Sequence, residues 1–221
     1  MKRMKQAFSL FLALIFSLGM ILSMTSCKNE NTVYLVIEDY GMVTIELYED
    51  RAPITVENFK NLVEKDFYDG LTFHRIIESF MIQGGDPKGD GTGDAGKDII
   101  GEFAANGYNT GIKHVEGTIS MARSASSLED DFYAGYYVPR EYLEPAFNSA
   151  SSQFFIVTET SANNTAFLDG KYAAFGKVTD GMDIIKRVAA VKTDSDDQPT
   201  TPVKIAVITF DRDEAEAALE K

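Results

Sequence analysis

The chain has 221 residues, 44% hydrophobic and 25% charged, with a formal net charge of −13. That length suits one domain, or at most two small ones. A single cysteine excludes an intramolecular disulfide and a cysteine-based metal site, and two histidines exclude a histidine-rich one. Excess acidity argues against nucleic acid and anionic lipid headgroups as partners, because phosphate binding needs clustered Lys and Arg.

Lys2, Arg3 and Lys5 precede an apolar run from Ala7 to Leu22, and small residues then lead to Cys27. This is the pattern of a secretory signal over residues 1–26, removed from the folded protein. "LSMTSC" at 22–27 resembles the lipobox of bacterial lipoproteins, with Met24 where leucine is usual. The resemblance implies that Cys27 is acylated and becomes the first mature residue, holding the protein at a bacterial cell membrane on its extracytoplasmic side. Acyl chains contribute roughly 0.8 kcal/mol per buried methylene. A plain signal cut nearby, or an uncleaved anchor, is the alternative. Residues 1–26 hold three basic residues and no acidic one, so the charge from Cys27 onward is −16.

"KNENT" at 28–32 is a short polar tether, so 27–32 comprises the lipidated cysteine and its link to a domain over 33–212. Val33 to Glu38 and Met42 to Tyr48 are β-rich, and "EDYG" between them supplies a hairpin turn. "APITVENFKNLVEK" at 52–65 places Pro53 at a helix start and apolar residues 56, 59, 62 and 63 on one face. Strand-like segments recur at 71–76, 79–83, 117–121, 153–157, 173–178 and 203–210. A second helical pattern at 181–190 groups Met182, Ile185, Val188 and Ala189. Eight strands and two helices favour an antiparallel barrel or sandwich capped by helices. The terminal 213–221 is an acidic, solvated tail of helical character.

Side chains alternate faces along a strand. In "FHRIIESFMIQGGDP" at 73–87 this pairs Phe73 with Arg75 and Met81 with Gln83, and in "SSQFFIVT" it pairs Gln153 with Phe155. The opposite faces carry Phe80 and Ile82, and Phe154 and Ile156, which suit a core. Taken singly, the arginine could be a surface or ion-paired group and the glutamines edge residues. Together, polar tips with large apolar neighbours on three strands describe a groove for something half apolar.

Other chemistries fail on the same residues. "DPKGDGTGDAGK" at 86–97 has Lys88 and Lys97 where a calcium loop needs acids. "GTGDAG" at 91–96 fits a dinucleotide glycine pattern, but no helix pattern follows and Asp94 and Asp98 repel phosphate, leaving a flexible glycine-rich surface loop. There is no G-x-S-x-G elbow.

"FHRIIESFMIQGGDP", "GTISMA", "NSASSQFFIVT" and "FLDGKYAAFGKV", in that order, resemble the cyclophilin-type peptidyl-prolyl cis-trans isomerases over most of residues 33–210. The resemblance implies a mainly β fold, a closed eight-stranded antiparallel β-barrel capped by two α-helices, needing no cofactor and no metal. It implies a catalytic Arg75 with Gln83. The substrate groove it implies is formed by His74, Phe80, Met81, Ala122, Gln153, Phe155, Phe167, Leu168 and Tyr172. Phe167 stands where the family often has tryptophan, Tyr172 where it often has histidine, and Arg123 where asparagine is common. With the lipobox, the form expected is a monomeric, membrane-tethered lipoprotein. It accelerates Xaa-Pro isomerisation in proline-containing segments of exported proteins as they fold. A proline-peptide holding chaperone with little turnover is the alternative, and a structural envelope protein that merely keeps the barrel a third reading.

One departure is an insertion at about 124–147, including "SLEDDFYAGYYVPREYLEPAF". Its flanks belong to the groove, so it should emerge at the mouth. There Phe132, Tyr133, Tyr136, Tyr137 and Tyr142 either cover the site or form a subdomain packed on the barrel wall.

Overall fold

Val33, Leu35 and Ile37 alternate with Tyr34 and Val36, and Val43, Ile45 and Leu47 alternate with Thr44 and Glu46. A period of two puts one set on one face of a strand, and all six of the first-named members of these runs lie in one buried core. The computed structural model describes residues 31–161 and 165–220; the signal segment 1–26 and Cys27 lie outside them. Its strands are β1 (Thr32–Ile37), β2 (Gly41–Leu47), β3 (Thr72–Ile77), β4 (Met81–Asp86), β5 (Thr118–Met121), β6 (Phe154–Val157), β7 (Ala174–Asp180) and β8 (Ile205–Thr209). They form one antiparallel sheet in the order β3-β4-β6-β5-β7-β2-β1-β8.

The two ends of that order meet. Gly70 N–H donates to Ile205 O (2.9 Å), Ile205 N–H to Leu71 O (2.8 Å) and Phe73 N–H to Val203 O (2.9 Å). The sheet is therefore a nearly closed barrel, which leaves little unpaired edge for another chain to extend. The mainly β, eight-stranded barrel expected from the sequence is the architecture found.

Helix α1 (Pro53–Val63) starts with its proline and buries Val56, Phe59, Leu62 and Val63, the face its spacing predicts. Phe59 is the centre of an aromatic cluster, with ring centroids 5.3 Å from Tyr68, 5.9 Å from Phe154 and 5.2 Å from Phe175. Ala52 offers the helix no side-chain cap. Instead the Glu102 carboxylate accepts from the Ile54 and Thr55 amides and from the Thr55 hydroxyl, placing negative charge at the positive end of the helix. Short helices α2 (Glu129–Tyr133) and α3 (Glu144–Phe147) lie within the inserted segment. Helix α4 (Met182–Ala189) buries Ile185, Val188 and Ala189. Helix α5 (Arg212–Ala218) gives the acidic tail its helical character: Asp211 caps it and most of it is exposed, but Ala215 is fully buried against Val36 and Val207 on the outside of the barrel.

Strand β4 owes its course to two glycines. Gly85 has φ +85°, and a Cβ there would stand 2.6 Å from Ser152 O and 3.1 Å from both the Phe154 and Tyr68 rings. Strain and overlap act together, so Gly85→Ala should destabilise the fold by roughly 2–4 kcal/mol. Urea unfolding should show a lower midpoint at unchanged slope; an unchanged midpoint would contradict this packing.

Candidate active site

Outside the main core, Met81, Phe155, Val157 and Leu168 form a second buried cluster, with Ile77, Phe80, Ala122 and Tyr172 packed against it. These side chains face away from the barrel interior because their strand neighbours Ile82, Phe154 and Ile156 face into it. Of this cluster Met81, Phe155 and Leu168, with Phe80, Ala122 and Tyr172, line the floor of a cavity of about 340 Å³ whose rim includes Arg75, Gln83, Arg123 and Phe167. Arg75 lies directly across from Gln83, and Gln83 across from Phe155. Phe167, 48% exposed, stacks at a tilt on Phe80, 5.9 Å between centroids.

A second cavity of about 400 Å³ adjoins the first, sharing Gln83, Ala122 and Arg123 with it. Its wall is the glycine-rich segment 91–94 together with Asp98, Ser149 and Gln153. Gln83 Nε2 donates to Gln153 Oε1 (2.9 Å), and Gln153 Nε2 donates to Gly91 O (3.0 Å) and Gly93 O (2.8 Å). Gln153 thus lines the second cavity and ties Gln83 to the loop. The loop, expected to be a plain flexible surface element, is organised around the buried Asp86 carboxylate, which accepts from the Lys88, Asp90 and Gly91 amides. Burial alone would raise the Asp86 carboxyl, but the Lys88, Gly93 and Gly91 amides, with His74 beside it, hold it below the usual range.

The structure brings Arg75, Phe80, Met81, Gln83, Ala122, Phe155, Phe167, Leu168 and Tyr172 to the first cavity, but not His74. The pairing of β3 with β4 shifts register on both sides of Phe73, and such a bulge breaks the alternation of faces. Phe73 consequently joins the core instead of sharing a face with Arg75. His74 is 6% exposed, and neither ring nitrogen has a partner among the described residues. Burial lowers its pKa below the ordinary imidazole value. Phe80 departs from the strand alternation but lies where the resemblance puts it: it precedes β4 in a turn, after Ser79 at φ +59°, and packs over the cavity floor instead of filling the core.

Behind the floor, His114 Nδ1 lies 3.1 Å from Asp169 Oδ1 and Nε2 lies 3.1 Å from Ser120 Oγ. This is a Ser-His-Asp order of contacts, but Ser120 is fully buried and His114 nearly so, leaving the hydroxyl no access to a substrate. The imidazole instead stacks on Phe155 at 6.1 Å and 17°, supporting the ring from its far side. Among the described residues no three His, Cys, Asp or Glu side chains are grouped to hold a metal ion.

Arg123 is more than a lining residue. Its guanidinium lies 4.8 Å from the Tyr172 ring centroid, 5.2 Å from Phe103 and 5.3 Å from Phe147. Nη1 and Nη2 donate to the two Glu129 oxygens (2.8 and 2.7 Å), and Nε donates to Lys171 O (3.0 Å). One buried cation therefore joins the inserted segment, through Glu129, to the cavity wall, through Lys171 and Tyr172. Of the five insertion aromatics, Phe132 and Tyr133 pack on the core, and Tyr136, Tyr137 and Tyr142 are exposed. None of these aromatics lines either cavity, although Ser124 at the start of the segment lines the second, so the aromatic part of the segment lies against the barrel wall or in the open and not over the site.

Residues 32–209 match the model of the cyclophilin type peptidyl-prolyl cis-trans isomerase/CLD family. A peptidyl-prolyl cis-trans isomerase-like 1 protein of Rhizopus delemar is 42% identical over 159 residues, covering 72% of this chain and 80% of that protein. The like-named protein of Neurospora crassa is 39% identical over 175 residues, covering 79% and 91%. A crystal structure of a Cryptosporidium parvum cyclophilin type isomerase, determined in the presence of the dipeptide Ala-Pro, superposes with a TM-score of 0.63 at 28% identity, covering 80% of this chain and 97% of that one. These curated relatives are fungal and are not lipoproteins of bacteria. They overturn the expected extracytoplasmic, lipid-anchored location at a bacterial cell membrane. No helix among the described residues is long and apolar enough to cross a membrane.

Burial alone would raise the Glu129 carboxyl, but the Arg123 guanidinium and the Ser126 amide hold it below the usual glutamate range. A depressed carboxyl stabilises the fold fully above its unfolded pKa, and that contribution is lost as pH falls through the folded value. Glu129→Gln leaves the buried guanidinium without its counter-charge and should cost about 3 kcal/mol at pH 7. It should also flatten the acid side of the stability profile below about pH 4.5. A variant as stable as the wild type at pH 7 would refute the pair's role.

Proposed function

Given that the chain belongs to the cyclophilin-type peptidyl-prolyl cis-trans isomerases, we propose that Arg75 catalyses the isomerisation of Xaa-Pro bonds docked in the 340 Å³ cavity. The observation that carries this reading is the placement of Arg75 across from Gln83 at the rim of an apolar floor of Met81, Phe155 and Leu168. A prolyl ring matches such a floor in size and polarity, and the flanking backbone needs polar partners at the rim. The Cryptosporidium relative was crystallised in the presence of Ala-Pro, a dipeptide of the chemistry expected here.

Amide resonance sets a rotation barrier of about 18–20 kcal/mol. As the bond turns, resonance is lost and the prolyl nitrogen gains a lone pair that neither ground state presents. A guanidinium, always protonated and rich in donors, can hydrogen-bond that nitrogen only in the transition state. An interaction made only there lowers the barrier without tightening substrate binding. Gln83 is held by Gln153 and serves the peptide backbone beside the proline. Phe167 and Tyr172 form the outer and side walls. The partners are proline-containing segments of unfolded or folding chains, and a single chain supplies every group, so the working unit is a monomer. Residues 33–212 make up the catalytic domain, with about 124–147 inserted into it.

Arg75 is half exposed and belongs to no core cluster, so its removal should spare the fold. Arg75→Ala should lower kcat/KM on a short Ala-Pro peptide by about 10²-fold, the scale of losing one transition-state donor, at an unchanged melting temperature. A folded variant keeping more than half the activity would defeat this assignment.

A further inference from the structure

We propose that Asp197 is a positioning residue for Arg75, holding its guanidinium in the orientation that the reaction needs. The inference rests on the catalytic reading of Arg75. Asp197 Oδ2 lies 3.4 Å from Arg75 Nε, and both side chains are half exposed, at 40% and 46%. Of the three guanidinium nitrogens, the carboxylate therefore engages the one nearest the aliphatic stem. The two terminal nitrogens extend beyond it, on a side chain that lines the cavity.

Asp197 is itself held. Its carbonyl accepts from the Ile76 amide at 2.8 Å, which fastens the loop to β3 at the residue following Arg75. Upstream, Asp194 Oδ1 accepts from the Asp196 amide (2.9 Å) and the Gln198 amide (3.0 Å), and Asp194 N–H donates to Gln198 O (2.9 Å). A bridge between Thr193 and Pro199 closes the loop. Within it Asp197 takes φ +62°, a left-handed conformation that Asp and Asn tolerate better than other non-glycine residues. The segment "TDSDDQPT" at 193–200 is thus a rigid bracket with one carboxylate aimed at Arg75.

An arginine on an open wall samples many rotamers, and ordering it during the reaction adds to the barrier. A carboxylate on Nε removes part of that freedom beforehand. It also offsets some of the cation's field, but a half-exposed pair is strongly screened, so orientation outweighs neutralisation.

The test is Asp197→Asn in the full-length protein, which keeps side-chain size and tolerance of positive φ. With an Ala-Pro peptide as probe, exchange NMR should show kcat reduced roughly tenfold, with KM within about twofold and the melting temperature unchanged. An unchanged kcat overturns the proposal. So does a raised KM at constant kcat, because Asp197 would then be touching substrate, or a kcat loss that tracks a fall in melting temperature. If Arg75→Ala is inactive while Asp197→Asn is unaffected, only the positioning role fails. A fully active Arg75→Ala would remove the catalytic reading itself.

Discussion

Side chains fill the interior of an eight-stranded barrel, so a site on this fold has to be mounted on its outer wall. That constraint governs the rest of the molecule. Strands β4 and β6 put Ile82, Phe154 and Ile156 inside, and the alternation that does so leaves Met81, Gln83 and Phe155 outside. An outer wall with so much apolar surface would be poorly soluble if left flat. Here it is folded into a cavity by the Ala166–Leu168 turn and by Tyr172. Binding surface and core are two faces of the same strands, and a change of register in either strand would exchange them.

Two buried polar systems stiffen that wall from behind. His114, fixed by Asp169 and Ser120, backs Phe155. Arg123, fixed by Glu129, backs Tyr172. In each case a ring that lines the cavity is pinned by a group that is itself hydrogen-bonded, so the cavity keeps its shape without a substrate. The Arg123 system reaches into the inserted segment, whose removal would leave a buried cation unpaired. The insertion is therefore part of the stability of the site, and its first residue, Ser124, lines the second cavity.

The strands and both long helices were legible because periods of two and 3.6 are local signals, and Val33–Ile37 or Val56–Val63 carry them cleanly. Most of the cavity residues were legible too, through motif resemblance and through the mixed polarity of Met81, Gln83, Gln153 and Phe155. Alternation failed at Phe73 and His74, where a bulge inserts an extra residue and no local pattern marks it. It failed also at Phe80, which sits in a turn. What could not be read was long-range pairing. Glu102 capping a helix 47 residues away, Asp197 reaching Arg75 and Arg123 gathering three rings all depend on how separate loops meet. The acidic "TDSDDQPT" gave the one available hint, a turn-rich run with more carboxylates than a turn requires.

On the catalytic reading proposed for Arg75, its half-exposure suits the chemistry. Fully buried, the guanidinium would need protein acceptors for its donors to offset desolvation, and those acceptors would compete with the prolyl nitrogen. Fully exposed, it would be solvated by water that a weakly basic, transient lone pair could not displace. At the rim it keeps one nitrogen beside Asp197 and faces a cavity whose floor excludes water once a proline occupies it. Loss of water there strengthens the single hydrogen bond that differs between ground and transition states. On that reading an apolar floor and a rim arginine form one device, each depending on the other.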